Sequence, residues 1–277
     1  MMDFPLLLRT ILYRAALVYP DQEVVSREGT GVVRETYREL DNRCRKLARA
    51  LDGLGLAAGD HVSSFGWNTH RHLELYFGVP CSGRVLHTVN IRLASEQLVY
   101  TINHAQDRVL FVDPDLAAGI AKLASQLETV QAYVVLGDGE AAQAAARLLP
   151  NALLYEDLLA AQGDGYAFPD LDERSDAILA YTSATTGNPK GVMYSHRGLY
   201  LHCMSCLTVE LAPSDEDVTM PIVPMFHVNA WGYPFLSTWV GARQVMPGAH
   251  PTPADLCQLI TEQGVTISAG VPTVWMA

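Results

Sequence analysis

The sequence predicts an α/β fold in which a mostly parallel sheet is covered by helices on both faces. Three observations carry that expectation. Short apolar runs alternate with segments of helical period along most of the chain, the pattern of strand–helix–strand units. An amphipathic helix opened by a capping box stands near the start. At 277 residues the chain has room for a large core, in more than one lobe if it divides.

The N-terminal stretch MMDFPLLLRTILYRAALVYP looks apolar, but Asp3, Arg9 and Arg14 interrupt it and no basic segment precedes it, so it does not read as a secretory signal. No uninterrupted apolar run approaches the length of a membrane span. Thr36-Tyr-Arg-Glu39 has the capping-box pattern. After it, Leu40, Cys44, Leu47, Ala48, Leu51 and Leu54 recur at helical spacing until Gly55 and Gly59 end the run. A strand is expected over His61 to Phe65, a helix over His70 to Cys81, and a strand over Val85 to Val89. A helix over Glu96 to His104 and a strand over Arg108 to Val112 follow. Leu116 to Leu127 reads as an Ala/Leu helix and Tyr133 to Leu136 as a strand.

The polar stretch Gln162 to Asp176 reads as a connection, dividing the chain into a first α/β subdomain (1–165) and a second segment (166–277). The alternation resumes there, with a strand over AILAY, one over Val192 to Ser195 and a helix over Gly198 to Leu211. Further strands are expected near Val218 to Val223, Gln244 to Met246 and Thr266 to Ala269. No internal repeat is visible, and the one biased tract is the Ala-rich EAAQAAARLL.

The net charge of −11 with histidine neutral argues against a nucleic-acid partner held by a basic surface. Five cysteines, an odd number at scattered positions, suit a reducing cytoplasm better than a disulfide framework.

The stretch with most chemistry is Tyr181 to Val192, YTSATTGNPKGV. It gathers Thr182, Ser183, Thr185, Thr186, Gly187, Lys190 and Gly191 into one loop after an apolar strand. Hydroxyls and bare backbone N–H groups donate to phosphate oxygens and a lysine neutralises them, so the composition suits a polyphosphate cradle. It is not the G-x-x-x-x-G-K-[ST] loop, because Lys190 lies three residues after Gly187 and is followed by glycine. On composition alone, a surface loop with a solvated lysine fits as well.

The residue order in YTSATTGNPKGV resembles the signature loop of the adenylate-forming (AMP-binding) enzymes, which include acyl-CoA synthetases, luciferase-like enzymes and peptide-synthetase adenylation domains. A second block, PMFHVNAW (Pro224 to Trp231), resembles the motif that follows in that family, in its fatty acyl-CoA synthetase form. The SHRGL segment and apolar helix between them suit the family spacing, and TYRELDNRCRKLARAL and AGVPTVW carry weaker similarity. The chain thus resembles the N-terminal part of a medium- or long-chain fatty acyl-CoA synthetase. In the family, glycine stands where this chain has Ala184; if that position needs φ > 0, alanine costs about 1 kcal/mol or stiffens the loop.

The resemblance implies stacked, mostly parallel sheets flanked by helices, with the family's C-terminal lid domain lying outside this sequence. It implies a two-step reaction: a fatty acid is activated by Mg-ATP to an acyl-adenylate, and coenzyme A then displaces AMP. Thr182, Ser183, Ala184, Thr185, Thr186, Gly187 and Lys190 would hold the ATP phosphates. His227 would sit beside the acyl carboxylate, and Val228, Asn229 and Trp231 would face the acyl chain. The acid that binds Mg2+ in the family, and its adenine, ribose and C-terminal lysine motifs, are expected downstream; no metal ligand is assigned here, and catalysis by this piece alone is not expected. Backbone-satisfied His227 and core Trp231 are the plainer readings of those residues. Small-molecule substrates are implied, with no nucleic acid and no transmembrane segment, and a helix-rich face is compatible with a homodimer. The competing expectations are an inactive fragment or phosphate-binding module and, within the family, an aryl-acid CoA ligase.

Other constellations are weaker. Cys203 and Cys206 have a zinc-ligand spacing with His202 and His196 nearby, but no second pair exists and they sit in an apolar helical run, so buried thiols are expected. Ser195-His196 lacks the context of a hydrolase pair. His70 and His72 read as a solvated helix start, and Asp170, Asp172, Glu173 and Asp176 as a solvated linker.

Overall fold

The computed structural model describes residues 3–182, 187–210 and 212–276. Helix α1 (Leu8–Val18) forms where the apolar N-terminal stretch places Leu8, Ile11, Leu12 and Ala15 on one buried face. A hairpin follows, β1 (Glu23–Glu28) and β2 (Gly31–Thr36). Thr36 ends β2 and caps α2 (Tyr37–Gly53): its hydroxyl accepts from the Glu39 N–H, and the Glu39 carboxylate accepts from the Thr36 N–H at 2.6 Å. That is the reciprocal box the sequence predicts.

Next come β3 (His61–Phe65), α3 (His70–Cys81), β4 (Val85–Thr88), α4 (Ser95–Ala105) and β5 (Val109–Val112). The helix expected over Leu116 to Leu127 is instead a short α5 (Ala117–Ala121) between 3-10 turns at Pro114–Leu116 and Ala124–Gln126. Gly119 lies in the middle of it, and so short a helix cannot spread the cost of a glycine over many hydrogen bonds. The chain continues through β6 (Ala132–Val135), α6 (Gly139–Ala146), β7 (Ala152–Leu154), α7 (Tyr155–Ala160), β8 (Asp176–Tyr181), β9 (Gly191–Ser195) and α8 (His196–Ser205). A π-helical turn at Cys206–Glu210 ends α8. Last are β10 (Val218–Pro221), α9 (Tyr233–Val240), β11 (Arg243–Met246), α10 (Pro253–Gln263), β12 (Ile267–Ala269) and α11 (Pro272–Trp275).

Among the described residues the strands form two sheets. One has the order β7-β6-β5-β3-β4-β8-β9 and is parallel apart from β9, which returns antiparallel to β8. The other has the order β12-β10-β11-β1-β2 and is parallel apart from the hairpin. Both draw strands from either side of position 165: β8 extends the sheet of the first half, while β1 pairs with β11. No described helix is long and apolar enough to cross a membrane.

Helix α3 packs against β1 of one sheet and against β3, β4 and β8 of the other, and every residue of it is buried. The solvated helix start expected at His70 and His72 is therefore corrected. His72 is held between the Ser64 hydroxyl (2.9 Å) and the Trp67 carbonyl oxygen (2.8 Å), and burial takes its pKa down to about 4. Neutral imidazole donates through Nδ1 to Trp67 and accepts from Ser64 at Nε2. Buried Glu74 is matched by Arg43 Nε at 2.9 Å and the Tyr155 hydroxyl at 2.6 Å. Arg43 also grips both oxygens of Glu156, which receives Arg71 Nε at 2.6 Å. Burial keeps the Glu74 pKa raised even beside Arg43. The acidic linker is solvated as expected at Asp170, Asp172 and Asp176; exposed Asp170 pairs with Arg9 at 2.8 Å, and partly buried Glu173 accepts from Arg197 at 2.5 Å and from the Leu6 N–H at 2.8 Å.

Candidate active site

The hydroxyl-rich loop leaves the sheet at Tyr181, the last residue of β8, and returns at Gly191, the first of β9. Its two ends close on each other. The Thr182 N–H donates to the Lys190 carbonyl oxygen at 3.0 Å, and the Lys190 N–H donates to the Thr182 hydroxyl at 3.3 Å. Lys190 is exposed and forms no ion pair among the described residues. Gly187 has φ +79 with open space where a Cβ would stand. Ser183, Ala184, Thr185 and Thr186 lie outside the described residues. Gly191 has a use that sequence reasoning missed: a Cβ there would come within 3.1 Å of Leu179 and 3.3 Å of the Tyr181 ring. Its bare face makes room for that ring.

Ser195 ends β9 and caps α8, its hydroxyl accepting from the Gly198 N–H at 3.1 Å, while His196 is fully buried with its pKa lowered to about 4 by burial. These partners exclude a Ser–His nucleophile. Helix α8 then runs to the second motif. There Val228, Asn229, Ala230 and Trp231 have φ between +46 and +55, and Gly232 has φ +83. This is a left-handed turn. Left-handed geometry costs roughly 1–2 kcal/mol for each residue with a Cβ and persists only where the surroundings enforce it. The Ala230 N–H donates to the His227 carbonyl oxygen at 3.0 Å, and the His202 ring donates through Nε2 to the Trp231 carbonyl oxygen at 3.2 Å. A Cβ on Gly232 would approach His202 to 2.9 Å, so glycine is required there twice over.

The approach to this turn is pinned from α3 and the segment just before it. Asn68 donates to the carbonyl oxygens of Pro221 (2.8 Å) and Val223 (2.9 Å) and accepts from the Met225 N–H at 2.7 Å. The Tyr76 hydroxyl donates to the Met225 carbonyl oxygen. Nothing local in the sequence marks Asn68 for this task; its partners lie over 150 positions away.

Two cavities meet at the turn. One, of about 790 Å³, is walled by β9, α8, the turn and the Ser268–Gly270 segment; its lining includes Tyr194, Leu199, Val228, Trp231 and Trp275. Asn229 and Tyr233 also line it, and Asn229 Oδ1 and the Tyr233 hydroxyl are buried without a hydrogen-bond partner among the described residues. The second, of about 720 Å³, is lined by Trp67, Asn90, Arg92, His227 and His250, with Trp231 shared between the two. His227 is exposed to it, and its ring has no hydrogen-bond partner among the described residues, against the reading of a backbone-satisfied histidine. Trp231 is 43% exposed and is not core. Next to Trp67, which lines the second cavity, Asp113 accepts from the Trp67 N–H at 2.6 Å, and burial, with Asp115 adding repulsion, pushes its pKa up to about 7. Asp115 accepts from Trp67 Nε1 at 3.0 Å and contacts His250 at 2.8 Å. Cys203 is buried as expected, and Cys206 lies 3.6 Å from His202. Among the described residues no group of three or more His, Cys, Asp and Glu side chains could hold a metal ion.

The family model for AMP-binding enzymes matches residues 12–277. The chain is 47% identical to a long-chain-fatty-acid–CoA ligase of Thermus thermophilus over 100% of its own length and 50% of that protein. It is 43% identical to a medium-chain-fatty-acid–CoA ligase of Ectopseudomonas oleovorans, covering 99% of the chain and 50% of the relative. It is 42% identical to a 3-methylmercaptopropionyl-CoA ligase of Ruegeria pomeroyi, covering 99% and 51%. The chain thus spans about half the length of these curated relatives. In fold it is similar to the anthranilate CoA ligase AuaEII solved with anthranoyl-AMP, with a TM-score of 0.88 at 22% identity over 99% of this chain and 51% of that one.

Proposed function

The chain belongs to the AMP-binding enzyme family, and from that premise we propose that the protein of which it forms the matched half is an AMP-forming acid–thiol ligase acting on fatty acids. In the first step a carboxylate oxygen attacks the α-phosphorus of ATP, the bond to the β-phosphate bridge breaks, and acyl-adenylate and pyrophosphate form. In the second, the sulfur of coenzyme A attacks the acyl carbon and AMP leaves. The observation that carries the reading is a placement: the hydroxyl-rich loop and the apolar cavity are built on consecutive elements. Strand β9 leaves the loop at Gly191 and brings Tyr194 into the cavity wall, roughly 10 Å further on at the rise of an extended strand.

Thr182, Gly187 and Lys190, together with Ser183, Ala184, Thr185 and Thr186, receive the phosphates, and Lys190 offsets charge on the departing pyrophosphate. His227 orients the carboxylate where the cavities meet. Val228, Asn229 and Trp231 line the acyl cavity, and coenzyme A approaches the same junction. Magnesium accompanies ATP as its counter-ion; the described residues offer it no ligand set. The relatives' names span long, medium and methylmercapto-substituted acids, so the cavity and not the family sets chain length.

The test is calorimetric titration of this chain with alkanoic acids of graded length, alongside acid-dependent ATP–pyrophosphate exchange. Affinity should rise by up to about 0.8 kcal/mol per added methylene until the cavity is filled, and fall in Trp231→Ala. Exchange peaking at one length would add that adenylation itself survives in this half. Binding of benzoate-type acids in preference to alkanoic acids, or of neither, would overturn the fatty-acid reading.

A further inference from the structure

We propose that Tyr181 and His104 form a tether that positions Thr182 and Lys190, the two ends of the hydroxyl-rich loop. The proposal deepens the reading of that loop as the ATP-phosphate site and rests on it. The Tyr181 hydroxyl lies 2.7 Å from Nδ1 of His104, a residue of the last turn of α4 and distant in sequence. Burial, with Asp107 nearby, raises the phenol's pKa to about 12, so the hydroxyl keeps its proton and donates to the Nδ1 lone pair.

Three further contacts hold the pair. The Tyr181 ring lies against His87 at 5.0 Å between centroids, and His87 is itself fixed by Asp107, 2.6 Å from its Nδ1, with both groups buried. The His104 ring stacks on Tyr100 at 5.2 Å and 27°. Gly191, opposite Tyr181 in the ladder, leaves the room the tyrosine ring occupies.

The Tyr181 ring packs against the small cluster of Val85, Ala105 and Leu179, but that packing does not need the hydroxyl. Tyr181 is half-buried and His104 exposed, and a phenylalanine at position 181 would bury the same ring without needing a partner. What the hydrogen bond adds is direction. Successive side chains of a strand point to opposite faces, so fixing the Tyr181 ring fixes the rotation of the strand end and with it the aim of Thr182. Thr182 is bonded to Lys190 in both directions, and the constraint passes to the lysine. His104 and Tyr181 are positioning residues, acting on phosphate through Thr182 and Lys190.

The experiment compares His104→Phe, Tyr181→Phe, their double variant and His104→Asn, whose Oδ1 falls near the place of Nδ1. Amide exchange at Thr182 and Lys190 is followed by mass spectrometry, Mg-ATP binding by calorimetry, and the melting temperature serves as control. Loss of one hydrogen bond should speed exchange at both amides about 2–10-fold, with Mg-ATP binding weakened in proportion. The double variant should do no more than either single one, and His104→Asn should restore the parent behaviour, with the melting temperature of every variant lowered by no more than a few degrees. Unchanged exchange in the single variants, additive effects in the double, or normal Mg-ATP affinity despite faster exchange would each overturn the tether. If the parent chain binds no Mg-ATP while exchange responds as expected, the tether stands as a loop anchor and the phosphate reading is what fails.

Discussion

Lys190 is an exposed cation without an ion pair among the described residues, so its charge is available to an anion without first breaking a bond. A charge-assisted hydrogen bond is worth about 1.5–3 kcal/mol, and Lys190→Met should weaken Mg-ATP binding on the order of tenfold or more with no change in melting temperature. Equal affinity in the variant, measured by calorimetry, would remove Lys190 from the phosphate site. Asp113 has the opposite condition, a carboxyl that burial holds up to about pH 7. A folded pKa raised above the unfolded one gives stability that is complete below about pH 4 and is lost as pH rises through about 7. Asp113→Asn keeps an oxygen for the Trp67 N–H but cannot ionise. Relative to the parent it should gain on the order of 1–4 kcal/mol between pH 4 and pH 8. Urea unfolding at the two pH values checks this, and a difference independent of pH would show that Asp113 does not titrate as described.

At the scale of elements, the left-handed turn at Val228–Gly232 is held from outside itself. Asn68, two residues before α3, ties down Pro221, Val223 and Met225, and His202 of α8 holds the Trp231 carbonyl. Asn68→Ala leaves two carbonyl oxygens and one N–H without these partners, each a loss of about 1–3 kcal/mol where water cannot replace them. The expected outcome is a destabilisation of about 2–4 kcal/mol together with weakened alkanoic-acid binding. If stability falls but acid binding at low temperature is untouched, the approach segment does not set the cavity.

For the whole molecule, strand pairing crosses the polar connection at Gln162 to Asp176 in both directions. The major core cluster likewise joins Leu8 and Leu40 to Ile178, Leu199 and Phe235. Neither 1–165 nor 166–277 can complete a sheet alone. Urea unfolding should therefore show one cooperative transition by fluorescence and circular dichroism alike, and separately expressed halves should be unfolded until mixed. Two resolved transitions would mean that the halves are independent.

The sequence by itself determined the α/β class, the bounds of β3 and α3, the capping box at Thr36 and the two motif blocks that mark the family. Those features are written in short-range terms: hydrophobic period, a capping residue at fixed offset, a local run of hydroxyls and glycine. Tertiary structure decided the rest. Helix α3 begins His-Arg-His-Leu-Glu and reads as solvated, because the charges that let Arg71 and Glu74 be buried come from Glu156 and Arg43 in other elements. The roles of Asn68, of His104 and of Gly191 beside the Tyr181 ring have the same origin. A side chain's partner across the fold leaves no trace in its neighbours along the chain, and it was the meeting of distant segments that shaped the turn at Val228–Gly232 and the two cavities beside it.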